Sequence, residues 1–448
     1  MLKKNDDIEI TIDDLIVEGA GIGRYEGMAV FVPRALPGET VTARIIKVTK
    51  SYAVGRMMAL HKASPERVQP FCPVFERCGG CTLQHMSYAA QLEYKRRYVQ
   101  ACFKRIGGLD IDLPEIVASD DERAYRNKAA FPVAMADGEI NAGFFAPRSH
   151  QLVVADCGIQ RGALNAVKNA VVNWARENHI SAYDEERGTG TLRHIVVRQV
   201  SDGSLMAGIV VRGRVDEASL IVALKGIPKL KSIVLNINKE KGNAILGTES
   251  RVIWGDSYIT EQYEDLSFHA GLTSFLQVNH AQSVKLYDVA LNYADISKRD
   301  IVFDLFCGIG TISLLAAKRA KKVLGIEYVP EAVENAQDNA KLNNITNAQF
   351  LAGDAGEMIS EGIRSMGKPD IVLLDPPRKG CDKALIDSII KAAPKKVVYV
   401  SCDPATLARD AAIFDAGEYE VKAVQAVDMF PHTTHVETVV LMSRIAVK

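Results

Sequence analysis

The run DIVFDLFCGIGT, residues 300–311, decides how the C-terminal part of this chain is built. A short apolar segment ends in a turn with glycine at 308 and 310, and helix-forming residues follow at once. That is the signature of a buried strand feeding a helix. Outward from it the same unit recurs: KKVLGIE (321–327), AQFLAGD (348–354), DIVLLDPP (370–377) and KKVVYVS (395–401) read as strands, with helical spacing between them. Such alternation implies a parallel, doubly wound sheet. The last two strand-like segments, YEVKAVQAVDMF and HVETVVLMSRI, have no helix between them. The final strand is therefore expected to run antiparallel.

Three regions are expected in the 448 residues, a length beyond one ordinary core. Residues 1–62 alternate apolar and polar with Gly/Pro punctuation and read as a small all-β barrel. The later half of that region carries Arg44, Lys47, Lys50, Arg56 and Lys62 with no acid after Glu39, which suits a face that meets phosphates. Residues 63–270 read as α+β, opening with three close cysteines and a basic helical segment. Residues 271–448 form the βα region. The apolar fraction of 48% and charged fraction of 24% are those of a globular protein. No signal peptide and no apolar run of the about 18 residues a membrane helix needs is seen, so the cytoplasm is the expected compartment and no membrane partner is expected. A net charge of −1 means that any nucleic acid is met through local patches.

Acids stand at the ends of successive strands: Asp304, Glu327, Asp354 and Asp375. Ligands of open α/β sheets bind at that carboxyl edge. The glycines of the 308–310 turn let backbone N–H groups approach a ligand, but Ser313 stands where the third glycine of a dinucleotide fingerprint would be. Glu327 is placed to accept from ribose hydroxyls. Cys402 ends the fifth strand on the same edge, with Asp403 as helix N-cap and Pro404 at the first helical position. A sulfur beside a helix N-terminus is expected to favour the thiolate. If the last strand is reversed, its start brings Glu437 to this edge as a base, with His432 and His435 as flanking, structural or positioning groups. A thiolate that adds to C6 of a pyrimidine makes C5 nucleophilic, and a base must then take the C5 proton so that the thiol can leave.

The segments FLQVN, DLFCGIG, LLDPPRKG, SCDPATLARD and FPHTTHVE together resemble the RNA (uracil-5-)-methyltransferase family, in its 23S ribosomal RNA branch with an N-terminal TRAM domain. The resemblance covers nearly the whole chain. It implies an OB-like TRAM domain, a central α+β domain with an iron–sulfur site, and a class I, Rossmann-like methyltransferase domain. It implies S-adenosylmethionine as methyl donor and makes Cys402 the nucleophile and Glu437 the base. Gln277, Phe306, Glu327 and Asp375 match the donor contacts, with Asp354 and Thr311 as further matches. Thr311 stands where a relative has Asn, and SCDP replaces the common SCNP; the added carboxylate of Asp403 is expected to oppose thiol ionisation.

Cys72, Cys78 and Cys81 are spaced C-x5-C-x2-C, a ready metal cradle, although structural zinc prefers tighter pairs. With Cys157 as fourth ligand, the resemblance implies a [4Fe–4S] cluster, held by four thiolates. Cys102 on the basic helix reads as a packed thiol, and Cys307 and Cys381 lie near the cofactor edge with no base evident for either. The string YRNKAAFPV offers Arg126, Lys128 and Phe131 for phosphate contact and base stacking. A ribosomal RNA uridine, single-stranded or flipped, is the expected substrate of a monomeric enzyme. The same chemistry on transfer RNA, or an iron–sulfur RNA-binding protein without catalysis, are the competing readings. An amino methyltransferase is disfavoured because Arg378 follows the Asp-Pro-Pro run where such enzymes place an aromatic residue.

Overall fold

A computed structural model describes residues 2–445. Six strands from Asp7–Thr11 to Tyr52–Lys62 form one N-terminal sheet, in the order first, fifth, sixth, fourth, third, second. Strict alternation, as in DIEIT, turns Ile8 and Ile10 inward onto Val30, Val32, Val41 and Ile45. The basic face expected here is smaller than the sequence suggests. Arg44 donates two hydrogen bonds to the Asp7 carboxylate across the first and fifth strands, at 2.8 and 2.7 Å. That guanidinium is already paired.

A helix, Tyr88–Cys102, continues as a π-helical turn, Phe103–Gly107, and leads to the central sheet. This sheet has six strands: Lys128–Ala136, Glu139–Ala142, Leu192–Gln199, Leu205–Val211, Leu230–Ile237 and Glu249–Gly255. The helices Gly162–Glu177 and Glu217–Leu224 cover one face, packing Leu164, Val171, Trp174 and Leu220 on Phe131, Ile195 and Ile209. A short hairpin, Ile259–Tyr263 with Leu266–Ala270, joins it to the C-terminal sheet.

That last sheet has seven strands: Ile301–Leu305, Lys322–Glu327, Ala348–Ala352, Ile371–Leu374, Lys396–Ser401, Tyr419–Val427 and Glu437–Arg444. Their spatial order is third, second, first, fourth, fifth, seventh, sixth. The first five are parallel; the four inner ones are nearly all apolar, as strands buried on both faces must be, while Ala348–Ala352 at the edge buries only Phe350. The seventh is antiparallel to the fifth and sixth and lies between them, so the reversed final strand is found. The strand order turns at the junction of the first and fourth, which opens a crevice at their carboxyl ends.

The helix Tyr88–Cys102 docks against this sheet through a buried ion pair. Lys95 Nζ donates to Asp428 Oδ1 at 2.6 Å, with neither side chain exposed, so Lys95 is no part of a basic surface. Such a pair is tolerable only when its remaining groups are bonded. Tyr88 Oη (2.9 Å) and the Phe430 amide (3.1 Å) both donate to Asp428, and Lys95 also reaches the Phe430 carbonyl. Among the described residues no helix is long and apolar enough to cross a membrane.

Candidate active site at the carboxyl edge of the C-terminal sheet

The crevice begins with the turn after Ile301–Leu305. Phe306, Gly308 and Gly310 all have positive φ (73°, 55° and 86°), a path that only glycine takes without strain at two of the three positions. A side chain at Gly310 would meet Ala336 and Phe350 at 3.1–3.2 Å as well. The turn is held from the next strand: Glu327 Oε2 accepts from the Gly308 amide at 3.1 Å, and its Oε1 from Val329 at 3.0 Å. A small cleft of about 50 Å³ opens here, lined by Phe275, Tyr287, Asp304, Phe306, Thr311 and Asp375 among others.

Two carboxyls in this cleft are out of their ordinary range. Burial pushes Asp304 up to about 7, although Ser313 donates to it, and the fields of Asp375 and Glu327 add to the rise. Asp375 keeps an open edge on the cleft, yet the walls around it are deep enough to raise it to about 7 as well. Of the residues expected here, Phe306, Thr311 and Asp375 line the cleft and Glu327 grips its turn. Gln277 and Asp354 do not line it. Gln277 is buried beside the cleft, its carbonyl accepting from Asn127 Nδ2 at 3.3 Å. Asp354 lies beyond the end of its strand, exposed, and caps the helix Ala355–Met366 through the Gly356 amide at 2.9 Å. That hydrogen bond gives Asp354 a structural task of its own. Phe275, in the FLQVN segment, and Tyr287, on the helix His280–Ala294, are lining residues that the sequence reading passed over.

Cys402 follows the fifth strand directly, and the strand register fixes its neighbour. Ser401 pairs with Thr438, so one step further Cys402 stands across from Glu437, the first residue of the antiparallel strand. Glu437 is 4% exposed. Its burial, reinforced by Asp375 and opposed by Arg378, raises its carboxyl to about 8. The thiol is raised as well, to about 11, by burial first, then by Glu437, with Arg378 pulling it down and Asp375 adding to the rise. Burial and the Glu437 carboxyl thus oppose the pull toward thiolate that the neighbouring helix N-terminus exerts. Asp403 Oδ1 accepts from the Ala405 and Thr406 amides at 2.9 and 3.1 Å, and among the carboxyls Glu437 and then Asp375 raise the thiol.

The segment before Glu437 is tied down. His432 has φ +67° and is bonded through its amide to Gln91 Oε1 at 2.8 Å, with Nδ1 at 3.2 Å from Gln91 Nε2. His435 lies 3.5 Å from Arg378 Nη2 and faces the pocket above Cys402, a space of about 180 Å³.

A second cavity, of about 350 Å³, is lined by Cys72, Cys78, Cys81 and Cys157. The four belong together electrostatically: burial raises Cys81 to about 12, and Cys157, Cys78 and Cys72 each add to the rise. Among the described residues no three His, Cys, Asp or Glu converge tightly enough for a single metal ion. Four thiols lining one cavity are the donor set that a centre with thiolate ligands requires. Arg126 and Lys128 line the same cavity, and among the described residues no carboxylate does. Phe131 is corrected: it is 0% exposed, packs on Phe144 in the core of the central sheet, and offers no face to a base.

Comparison with known proteins follows the same division of the chain. Residues 87–445 match the tRNA (uracil-5-)-methyltransferase family, and residues 2–58 match the TRAM domain. An uncharacterized RNA methyltransferase of Halalkalibacterium halodurans is 45% identical over 98% of both chains. One of Clostridium acetobutylicum is 44% identical over 99% of this chain and 98% of its own. Among solved structures, the Pyrococcus abyssi tRNA (uracil-54, C5)-methyltransferase in complex with S-adenosyl-L-homocysteine is similar, with a TM-score of 0.79 and 28% identity over 97% of this chain and 100% of that one.

Proposed function

Because this chain belongs to the tRNA (uracil-5-)-methyltransferase family, we propose that it methylates C5 of an RNA uridine through a covalent bond from Cys402. The observation that carries the reading is the pairing of Ser401 with Thr438, which brings the neighbouring Cys402 and Glu437 to the same end of the sheet, where the carboxyl acts on the thiol. When bound there, S-adenosylmethionine supplies an electrophilic methyl group on a positively charged sulfur. Asp375, Phe306, Thr311 and Glu327 are the residues placed to hold it, and the acids of the cleft complement its charge.

The residues then act in sequence. Cys402 gives up its proton to solvent water, helped by Arg378, and its sulfur bonds to C6 of the pyrimidine. The electron pair of the C5=C6 bond moves toward the C4 carbonyl, and C5 takes the methyl group. Glu437 removes the C5 proton, the C5=C6 bond re-forms, and the C6–sulfur bond breaks to return the thiolate. The net change is one methyl for one proton at C5.

Cys72, Cys78, Cys81 and Cys157 are proposed to hold a [4Fe–4S] cluster, a use that suits four thiols around one cavity. The substrate is proposed to be 23S ribosomal RNA, on the strength of the motif resemblance. Transfer RNA is the second reading. The Pyrococcus abyssi enzyme aligns with 97% of this chain, N-terminal sheet included, so an N-terminal β domain does not by itself select ribosomal RNA. Two measurements test the proposal. RNA carrying 5-fluorouridine, which has no C5 proton to remove, should trap the wild-type protein as a covalent adduct. Cys402→Ala should form none and lose turnover by roughly three orders of magnitude or more. Methylation by Cys402→Ala at the wild-type rate refutes the mechanism, and mapping 5-methyluridine in ribosomal and transfer RNA of a deletion strain decides the substrate.

A further inference from the structure

The pocket above Cys402 is not built by the methyltransferase sheet alone. Its walls include Arg378 and His435 from that sheet's loops, Tyr98 from the helix Tyr88–Cys102, and Val17 and Glu18 from the N-terminal sheet. Residues 16–19 connect the strands Asp14–Leu15 and Ala20–Tyr25, and they are fixed in place. The Gly19 amide donates to the Ile16 carbonyl at 2.8 Å, and the Ile16 amide to the Ala20 carbonyl at 2.9 Å. Tyr94 Oη donates to the Ile16 and Val17 carbonyls at 2.9 and 3.0 Å. Gly19, at φ +79°, approaches so closely that a side chain there would meet Thr434 at 3.0 Å and Leu83 at 3.2 Å. The turn is thus clamped between the helix and the segment that leads to Glu437.

Glu18 stands exposed on this turn, lines the pocket and has no ion-pair or hydrogen-bond partner among the described residues. An unpaired carboxylate beside a phosphate chain is repelled unless it meets a hydrogen-bond donor. Uracil presents such a donor, the imide N3–H, between two carbonyl acceptors. Cytosine presents a bare N3 acceptor at the same place. Arg378 on the neighbouring wall supplies donors for a carbonyl oxygen.

We infer that Glu18 is a specificity-determining residue: its carboxylate accepts from N3–H of the flipped uracil, and the N-terminal sheet thereby completes the nucleobase pocket. The inference rests on the uridine reading above and extends it to base discrimination. A site built to bond a donor rejects the analogue lacking it more strongly than shape alone can.

The test uses the full-length protein with RNA oligonucleotides carrying 5-fluorouridine or 5-fluorocytidine at the target. If Glu18 acts only as a charge, Glu18→Ala removes repulsion and KM falls. If it accepts from N3–H, KM rises about ten- to hundred-fold with kcat little changed, and the preference for trapping uridine over cytidine narrows. Glu18→Gln keeps an acceptor oxygen and should recover most of the loss. An unchanged or lowered KM with an unchanged trapping ratio in Glu18→Ala overturns the inference, as does a Glu18→Gln variant as impaired as Glu18→Ala. Failure of the wild type to form any 5-fluorouridine adduct would instead strike the parent mechanism.

Discussion

Five of the chain's eight cysteines sit at two places with opposite surroundings. Cys72, Cys78, Cys81 and Cys157 share a cavity with Arg126 and Lys128, and among the described residues no carboxylate lines it. Cys402 faces Glu437 and feels Asp375, with Arg378 acting against them. Burial raises Cys78, Cys81 and Cys157 in the first place and Cys402 in the second, but the neighbours differ in what they wait for. The Arg126 guanidinium beside the thiols suits an occupant that is negative overall. Carboxyls around a thiol suit a ligand that brings positive charge, and S-adenosylmethionine is such a ligand. The side chain is the same; the electrostatics assign its work.

The largest expected effect comes from removing one acid at the second place. Glu437→Gln keeps the shape but not the base, so the proposed adduct should form and then persist. Turnover should fall by about 10²–10⁴-fold while RNA–protein conjugate accumulates on denaturing gels. Normal turnover would take Glu437 out of the base role. The first place is probed by Cys78→Ala. Loss of one ligand should remove iron and its visible absorbance and lower the melting temperature, while methyl transfer per folded molecule changes at most several-fold. A wild type that contains zinc and no iron would break the comparison there. The smallest effect is on stability against pH. Burial raises Glu437 from its ordinary 4.5 to about 8, so the stability tied to its proton is fully present below 4.5 and is lost as pH rises through 8. Between about pH 5 and about pH 9 the ligand-free wild type should lose roughly a few degrees of melting temperature more than Glu437→Gln.

How much of this was legible beforehand follows from the range of each interaction. The C-terminal sheet could be read because each strand, turn and cap is coded within about ten neighbouring residues, from the glycines at 308 and 310 to the Asp403-Pro404 cap. Even the reversal of the last strand shows as a missing helix. One of the five N-terminal cations, Arg44, is answered by Asp7 across a strand pairing that no local window reveals. Phe131 misled for a related reason. In the strand Lys128–Ala136 the inward parity belongs to Ala129, Phe131 and Val133, and only the helix Gly162–Glu177 packed on that face makes Phe131 core. The acids that raise the thiol, Glu437 and Asp375, arrive from two other strands, so no local window around Cys402 shows them. Asp354 carries a double signal, strand end and helix cap, and the capping bond is the one the structure shows.

The segment 428–435 has a lesson for anyone who would cut this protein into pieces. It is held from far upstream: Lys95 and Tyr88 on Asp428, Tyr125 Oη on the Pro431 carbonyl, Gln91 on His432, and the Thr82 and Leu83 amides on the His432 carbonyl. An excised C-terminal fragment would keep every strand of its sheet and still leave Asp428 as a buried charge without its cation, just upstream of Glu437. The three sheets look like separable modules, but the upstream residues are the scaffolding that keeps the last loop in shape. Dissection would spare the fold's outline and dismantle its working corner.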